Sequence, residues 1–363
     1  MGAVRYLRDA AIFAPCYIAL DWASYFHPLG VFNITPWNPQ PALAIVWMLL
    51  GGLHHAAAVL VTIFAADVVI RHAPGGYAIT LLTAVTLAGG YTVIAWLLRS
   101  FVRPAPGLRS TRQLTLFATV VAAGTAVVGA AFVGALWISD FLAGTPILDA
   151  WLQFWVGDAV GVLVTAPLLL AVADVGSRDR FLKVVRRPET LVQFGMLCAT
   201  LWLIFGGLGG DPSRHFYLLF LPLIWAAVRG GIIGAVLAIA VTQIGVVIGI
   251  HRETAIGYPV IELQAFVAGL TLTGLYLGMM VDERERAAEH LRQTLRLAAA
   301  GEMAGAVAHE VSQPLTALAN YGRSAQMMLA GGRETAEQLP AVLGNMLAEA
   351  QRAGEVVRRL RDF

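Results

Sequence analysis

Residues 260–286 read VIELQAFVAGLTLTGLYLGMMVDERER. Between Val260 and Val281 the single charged residue is Glu262, and the run matches the ~20 residues a helix needs to cross a bilayer. At Asp282 the composition turns over into Asp-Glu-Arg-Glu-Arg. An apolar body thus gives way to a charged tail within one residue. The whole chain of 363 residues is 58% hydrophobic and 13% charged, where soluble domains carry about 25% charged residues. Of its 48 Lys, Arg, Asp and Glu residues, 21 lie in 282–363. These numbers exclude an ordinary soluble globule. Net charge is +2, which by itself is uninformative, and no nucleic-acid partner is expected. Cys16 and Cys198 both sit inside apolar runs, so no disulfide framework is expected.

Working outward, apolar segments fall at about 10–27, 41–53, 56–71, 77–99, 114–139, 148–173, 190–207, 215–228, 231–250 and 260–281. A single helix over 41–71 would be roughly 46 Å long, well beyond a ~30 Å hydrocarbon core. Gly51-Gly52 and Gly230-Gly231 offer turns in the two long runs, 41–71 and 215–250. Two loops are basic: Arg99, Arg103, Arg109 and Arg112, then Arg178, Arg180, Lys183, Arg186 and Arg187. Splitting both long runs gives ten helices with both loops and both termini on the cytoplasmic side. Nine helices misplace only Arg5 and Arg8, and eight misplace nine basic residues. The expected class is therefore all-α: a polytopic bundle of about ten transmembrane helices in a bacterial cytoplasmic membrane, with lipid around it. Arg5 and Arg8 precede a retained first helix, with no small-residue cleavage site after it.

The tail has its own rhythm. Leu297, Ala300, Ala304, Val307, Val311, Leu315, Leu318, Ala325 and Leu329 recur at three- and four-residue steps, marking one face of a long helix. Ala330-Gly331-Gly332 breaks it, and a second helix from about Thr335 carries Leu339, Val342, Met346, Ala350, Ala353, Val357 and Leu360. This spacing predicts a cytoplasmic helical hairpin that pairs with a second copy as a four-helix bundle. The expected division is 1–281 for the membrane domain, 282–296 for a linker helix and 297–363 for the hairpin.

Chemistry concentrates in Gly301-Glu302-Met303-Ala304-Gly305-Ala306-Val307-Ala308-His309-Glu310-Val311-Ser312-Gln313-Pro314-Leu315. His309 lies about 200° round the helix from Val311, so it should face solvent. There its ring can act as a nucleophile toward a γ-phosphate, and the adjacent Glu310 can take the proton from the other ring nitrogen. Pro314 removes a helix hydrogen bond to Glu310, so a bend beside the histidine is expected. A lone exposed His-Glu pair would ordinarily mean only a polar helix face. The full string, with Arg352-Ala353-Gly354-Glu355-Val356-Val357-Arg358-Arg359-Leu360 on the second helix, resembles the HisKA-type phosphoacceptor region of sensor histidine kinases over about 291–363. The resemblance implies that His309 is the phosphoacceptor, Glu310 its acid/base partner and Gln313 a candidate for positioning water in dephosphorylation. It also implies a homodimer, a response regulator as partner, and ATP with Mg supplied by a kinase domain. No Asn box or Gly-rich nucleotide box occurs. The Gly-dense 206–210 lacks a following Lys and reads as a turn between membrane helices.

The body also resembles a family. Phe154-Trp155-Val156-Gly157-Asp158-Ala159-Val160-Gly161, Pro222-Leu223-Ile224-Trp225-Ala226-Ala227-Val228-Arg229-Gly230-Gly231 and Pro36-Trp37-Asn38-Pro39 look like the membrane-associated sensor domain of the MASE type over about 10–281. That family is usually given eight helices, against ten from the loop charges. Charged residues inside membrane helices are functional candidates by default. Asp158, Arg229, Trp155 and Trp225 are the sensor candidates, and one of two equal readings joins Asp158 and Arg229 as an ion pair inside the bundle. The other reading has Arg229 at the cytoplasmic interface and Asp158 bonded to backbone. Asp21 and Asp67 are open in the same way. His54-His55 invites a metal reading with His27, His215 or His251, but adjacent histidines diverge by about 100° on a helix, so an interfacial turn explains them better and no metal is expected. Two function classes remain: a sensor of unknown stimulus that controls phosphorylation of His309, or a transporter-like or channel-like protein with a dimerising tail.

Overall fold

The computed structural model describes residues 2–24, 38–73, 75–102, 108, 110–139, 146–173, 175–207, 212–252, 260–330 and 338–361. Among these residues there are helices and turns and no strand. The chain forms two compact units, Met1–Arg284 and Glu285–Phe363. The first unit holds α1 (Gly2–Ser24), α2 (Gln40–Gly51), α3 (Ala56–Arg71), α4 (Gly76–Leu97), α5 (Thr111–Ile138), α6 (Ile147–Ala173), α7 (Val175–Val185), α8 (Pro188–Trp202) and α9 (Phe220–Arg252). α10 runs from Val260 to Ala330, and α11 (Leu339–Arg361) follows. Thr335 and the residues around the expected Gly331-Gly332 break lie outside the described residues, as do Trp37, Arg103, Arg109 and His27.

Seven helical stretches among the described residues are long and apolar enough to cross a membrane. One of them, Arg214–Gly249, is broken inside α9 at Gly231, where φ is 60° and ψ is −148°. α2 has only 12 residues, and α1 carries Arg8, Asp9 and Asp21 along its length. The ten apolar runs of the sequence correspond to α1, α2, the two limbs of α9 and the other six stretches, but among the described residues seven stretches, rather than the expected ten, are long and apolar enough to span. The first long run is split as expected too, at Gly52 (φ 111°, ψ 155°) before the short turn Leu53–His55. Both glycines occupy backbone regions that a side chain makes costly.

Local sequence explains the packing. In α6 every residue from Gly157 to Pro167 is buried, because Gly, Ala, Val, Leu and Thr offer an apolar surface on all sides of the helix. α6 therefore sits in the interior of its unit. The limbs of α9 fold back on one another: a Cβ on Gly234 would strike the carbonyl oxygen of Ala226. A Cβ on Gly274 of α10 would meet both Leu223 and Ile239, one from each limb. The turns of both broken helices lie at the end of the bundle where the basic loops are. Gly52 faces the Arg99 guanidinium, and Gly231 faces Asp282.

The membrane unit runs past the expected boundary at 281. Asp282 is 1% exposed, and with Glu283 it packs into the first unit through ion-pair and hydrogen-bond partners there. In the second unit, Val307 and Val311 are half-buried and Pro314 and Ala325 buried on α10. A Cβ on Gly322 would lie 3.7 Å from the Met346 methyl, so α10 and α11 pack there as a hairpin. Leu297, Met303, Leu315, Leu343, Leu347 and Val357 stay exposed in the single chain.

Candidate functional site

Three arrangements carry chemistry. The largest is a buried polar network in the first unit. Asp158, fully buried at the middle of α6, accepts hydrogen bonds from Asn38 Nδ2 at 2.7 Å and from the Tyr91 hydroxyl at 2.8 Å. Asn38 Oδ1 accepts from Gln40 Nε2 at 2.8 Å, and Gln40 Nε2 also donates to Asp21 Oδ1 at 2.7 Å. The Arg71 guanidinium then grips both oxygens of Asp21, each at 2.9 Å, and bonds Asp67 one turn back on its own helix. A continuous chain thus links Tyr91, Asp158, Asn38, Gln40, Asp21, Arg71 and Asp67, drawing on α1, α3, α4, α6 and the entry to α2. Asp21 is 2% exposed and Gln40 4%. Charges so deep are tolerated because each finds partners, whereas an unpaired one would cost several kcal/mol.

Gly161 makes this geometry available. A Cβ there would collide with the backbone carbonyl of Asn38. The bare helix surface one turn beyond Asp158 lets the irregular segment before α2 lie against α6. Two of the motifs that drew attention in the sequence, Asn38-Pro39 and Gly157-Asp158 through Gly161, therefore meet.

Arg229 does not join them. The reading that joins Asp158 and Arg229 is corrected: Arg229 grips Glu189 of α8 through Nε at 2.7 Å and a terminal nitrogen at 3.0 Å, and its side chain is 62% exposed. Trp225 donates to the same Glu189 carboxylate at 3.3 Å, and Arg187 donates to the Arg229 carbonyl at 3.3 Å. The reason is position. Arg229 sits at the turn of α9, where solvent stabilises a guanidinium, while Asp158 lies mid-helix and takes neutral donors instead. Trp155 donates its indole N–H to the Ala122 carbonyl at 2.8 Å and stacks on Trp151 at 5.2 Å, so it ties α6 to α5 and bonds none of the network's groups. His54 and His55 occupy the turn before α3, with the His55 ring edge-on to Tyr6 and Trp47. No group of three potential metal ligands exists among the described residues.

The second arrangement was not foreseen in the sequence. Where α10 leaves the first unit, Arg180 of α7 donates to Asp282 at 2.9 and 3.3 Å. Glu283 accepts from the Thr111 backbone N–H at 2.8 Å and from its hydroxyl at 2.9 Å. That carboxylate sits on the N-terminus of α5, where the helix dipole favours negative charge. A Cβ on Gly231 would collide with the Asp282 carboxylate, and one on Gly278 would meet the Gly231 carbonyl at 2.7 Å. The exit of α10 is thereby held by α5, α7 and the turn of α9.

The third arrangement lies in the second unit. His309, Glu310 and Gln313 are all exposed on α10, and the helix continues through Pro314. Gln313 Nε2 lies 3.2 Å from His309 Nε2. With the ring proton on Nδ1, the Nε2 lone pair accepts a hydrogen bond from the amide.

The chain is 45% identical over 69 residues to the sensor protein FixL of Bradyrhizobium diazoefficiens, covering 19% of this chain and 14% of that protein. It is 35% identical over 116 residues to the C4-dicarboxylate transport sensor protein DctS of Rhodobacter capsulatus, covering 28% and 18%. It is 38% identical over 81 residues to the sensor protein TdiS of Thauera aromatica, covering 22% and 14%. The matched part thus spans less than a fifth of each relative's length. No solved structure matches the chain. The MASE1 family matches residues 10–285, the whole of the helical membrane body with its buried network and its held exit. By that match this multi-pass membrane chain belongs to the MASE1 family.

Proposed function

We propose that the chain is the sensing and phosphoacceptor portion of a two-component sensor kinase, with His309 as the residue that carries phosphate. The observation that carries the reading is the exposed His309 with Glu310 beside it and Gln313 against its Nε2 at 3.2 Å. Similarity to three sensor proteins supports it. Once Gln313 turns away, the freed Nε2 lone pair attacks the γ-phosphorus of ATP, the new bond is N–P, and the bond to the bridging oxygen of ADP breaks. The ring proton on Nδ1 passes to Glu310. ATP and Mg come with a kinase catalytic domain, and the phosphoryl group then passes to an aspartate of a response regulator. Gln313 has a second task, orienting the water that hydrolyses the aspartyl phosphate of the response regulator and releases inorganic phosphate. The exposed Leu297, Met303, Leu315, Leu343, Leu347 and Val357 fit burial against a second copy, which gives the homodimer. The end of the first unit that bears the basic loops faces the cytoplasm.

The membrane domain senses through the Asp158 network. A transporter-like role calls for polar groups open to a passage, but here Asp21, Gln40, Asn38 and Asp158 bond one another. The stimulus changes the packing of the first unit, and the held exit at Asp282 and Glu283 is where such a change reaches α10.

The test is labelling by a supplied kinase domain of a related sensor kinase. Full chain in nanodiscs, labelled ATP and Mg should give an acid-labile label on wild type that is lost in His309→Gln. Absence of label on wild type, or its survival in His309→Gln, contradicts the assignment.

A further inference from the structure

We propose that α7 and the basic residues after it form a docking surface for anionic phospholipid headgroups. The inference is independent of the role given to His309. α7 lies between α6 and α8, both of them apolar and long enough to span a bilayer. A connection confined to residues 174–187 keeps α7 close to the ends of both spans, which suits a place at the membrane surface. Its chemistry suits that place. Residues 174–187 hold five basic side chains against Asp174 and Asp179.

The five basic residues divide by task. Arg180 turns inward to Asp282, and Arg187 donates to the Arg229 carbonyl. The side chains of Arg178, Lys183 and Arg186 are exposed and make no hydrogen bond or ion pair with any described residue. Val184 is the buried anchor of the helix, near Gly230 of α9. Leu182 and Val185, 38% and 39% exposed, present apolar surface among those cations. Exposed apolar side chains set beside exposed cations are what an interfacial helix needs: the apolar atoms enter the acyl boundary and the cations meet lipid phosphates. A purely solvated charged loop would leave Leu182 and Val185 unexplained. Because Arg180 is on the same helix, lipid bound outside α7 steadies the element that holds Asp282 inside.

The experiment uses the full chain taken up from mixed vesicles of phosphatidylcholine and phosphatidylglycerol, with the retained lipids counted after gentle extraction. Wild type should retain phosphatidylglycerol in preference to phosphatidylcholine. The triple variant Arg178→Gln/Lys183→Gln/Arg186→Gln should lose that preference by about tenfold or more. Free glycerol phosphate should not displace the lipid, since it lacks the acyl chains that Leu182 and Val185 meet. Equal retention by wild type and a folded triple variant overturns the proposal. So does displacement by glycerol phosphate, which would indicate a small-anion site. Should the variant fail to fold, the wild type in molar salt decides: charge-based selectivity must collapse there, and selectivity that persists overturns the proposal.

Discussion

The two glycine-broken helical hairpins of the membrane unit share a shape and divide the work. The first, α2 and α3, turns at Gly52; the second, the two limbs of α9, turns at Gly231. Around the first are the polar groups of the network: its entry supplies the amides of Asn38 and Gln40, and its far end supplies the charges of Asp67 and Arg71. The second has no charged residue between Gly231 and Gly249, and its turn presses on the Asp282 carboxylate and the Gly278 backbone of α10. One hairpin is built to hold a buried electrostatic network and the other to touch the exit. The same backbone device serves both because a glycine turn demands little of the sequence on either side.

This contrast can be broken by mutation, and the largest effect should fall on the first hairpin. Arg71→Met leaves Asp21 and Asp67 without their guanidinium, and Asp21 is almost wholly buried. The expected loss is about 3 kcal/mol or more of stability, read as a large drop in the thermal midpoint in detergent. An unchanged midpoint would mean the network carries little of the fold. Gly231→Ala should follow, at about 2–3 kcal/mol, since it combines a strained φ with a collision against Asp282. Adding Asp282→Ala should restore part of that loss, because the collision goes while the strain remains. Gly52→Ala should cost less, about 1–2 kcal/mol. The side chain its Cβ would meet is the His54 ring of its own turn, which can move. Asp282→Ala should give Gly52→Ala no relief, and equal relief at both glycines would erase the difference between the hairpins. Smallest of all is Arg229→Gln, where an exposed pair with Glu189 is lost and no change in midpoint should be resolved.

The sequence made the broken helices legible, since Gly-Gly in the middle of an overlong apolar run has few other uses. It made Asp158 legible too, because a carboxylate in the middle of an apolar segment demands a reason. Its partners were not legible. Asn38 and Tyr91 lie 120 and 67 positions away, and separations of that size leave no local pattern. The pairing with Arg229 followed from charge alone, but depth decides: a guanidinium at a turn stays near solvent, and the buried carboxylate accepts from an amide and a phenol. Arg71 could have been found, since it follows Asp67 by one helical turn at the end of an apolar run. Asp282 and Glu283 were read as the first charges of the tail because composition changes there. Only contacts from α5, α7 and α9 reveal that these two belong to the membrane unit. His309 rested on a contiguous string, which sequence conveys well, and its exposure follows from its angle to Val311.

The most direct test of the phosphoacceptor assignment is the location of the phosphoryl group itself. α10 carries two exposed histidines, His290 and His309. Cleavage at Arg292, Arg296 and Arg323 separates them into different peptides. After labelling by a supplied kinase domain, under conditions that preserve N–P bonds, peptide mapping should place the phosphate on His309 alone. Phosphate on His290, on a hydroxyl residue, or nowhere in the chain would contradict it.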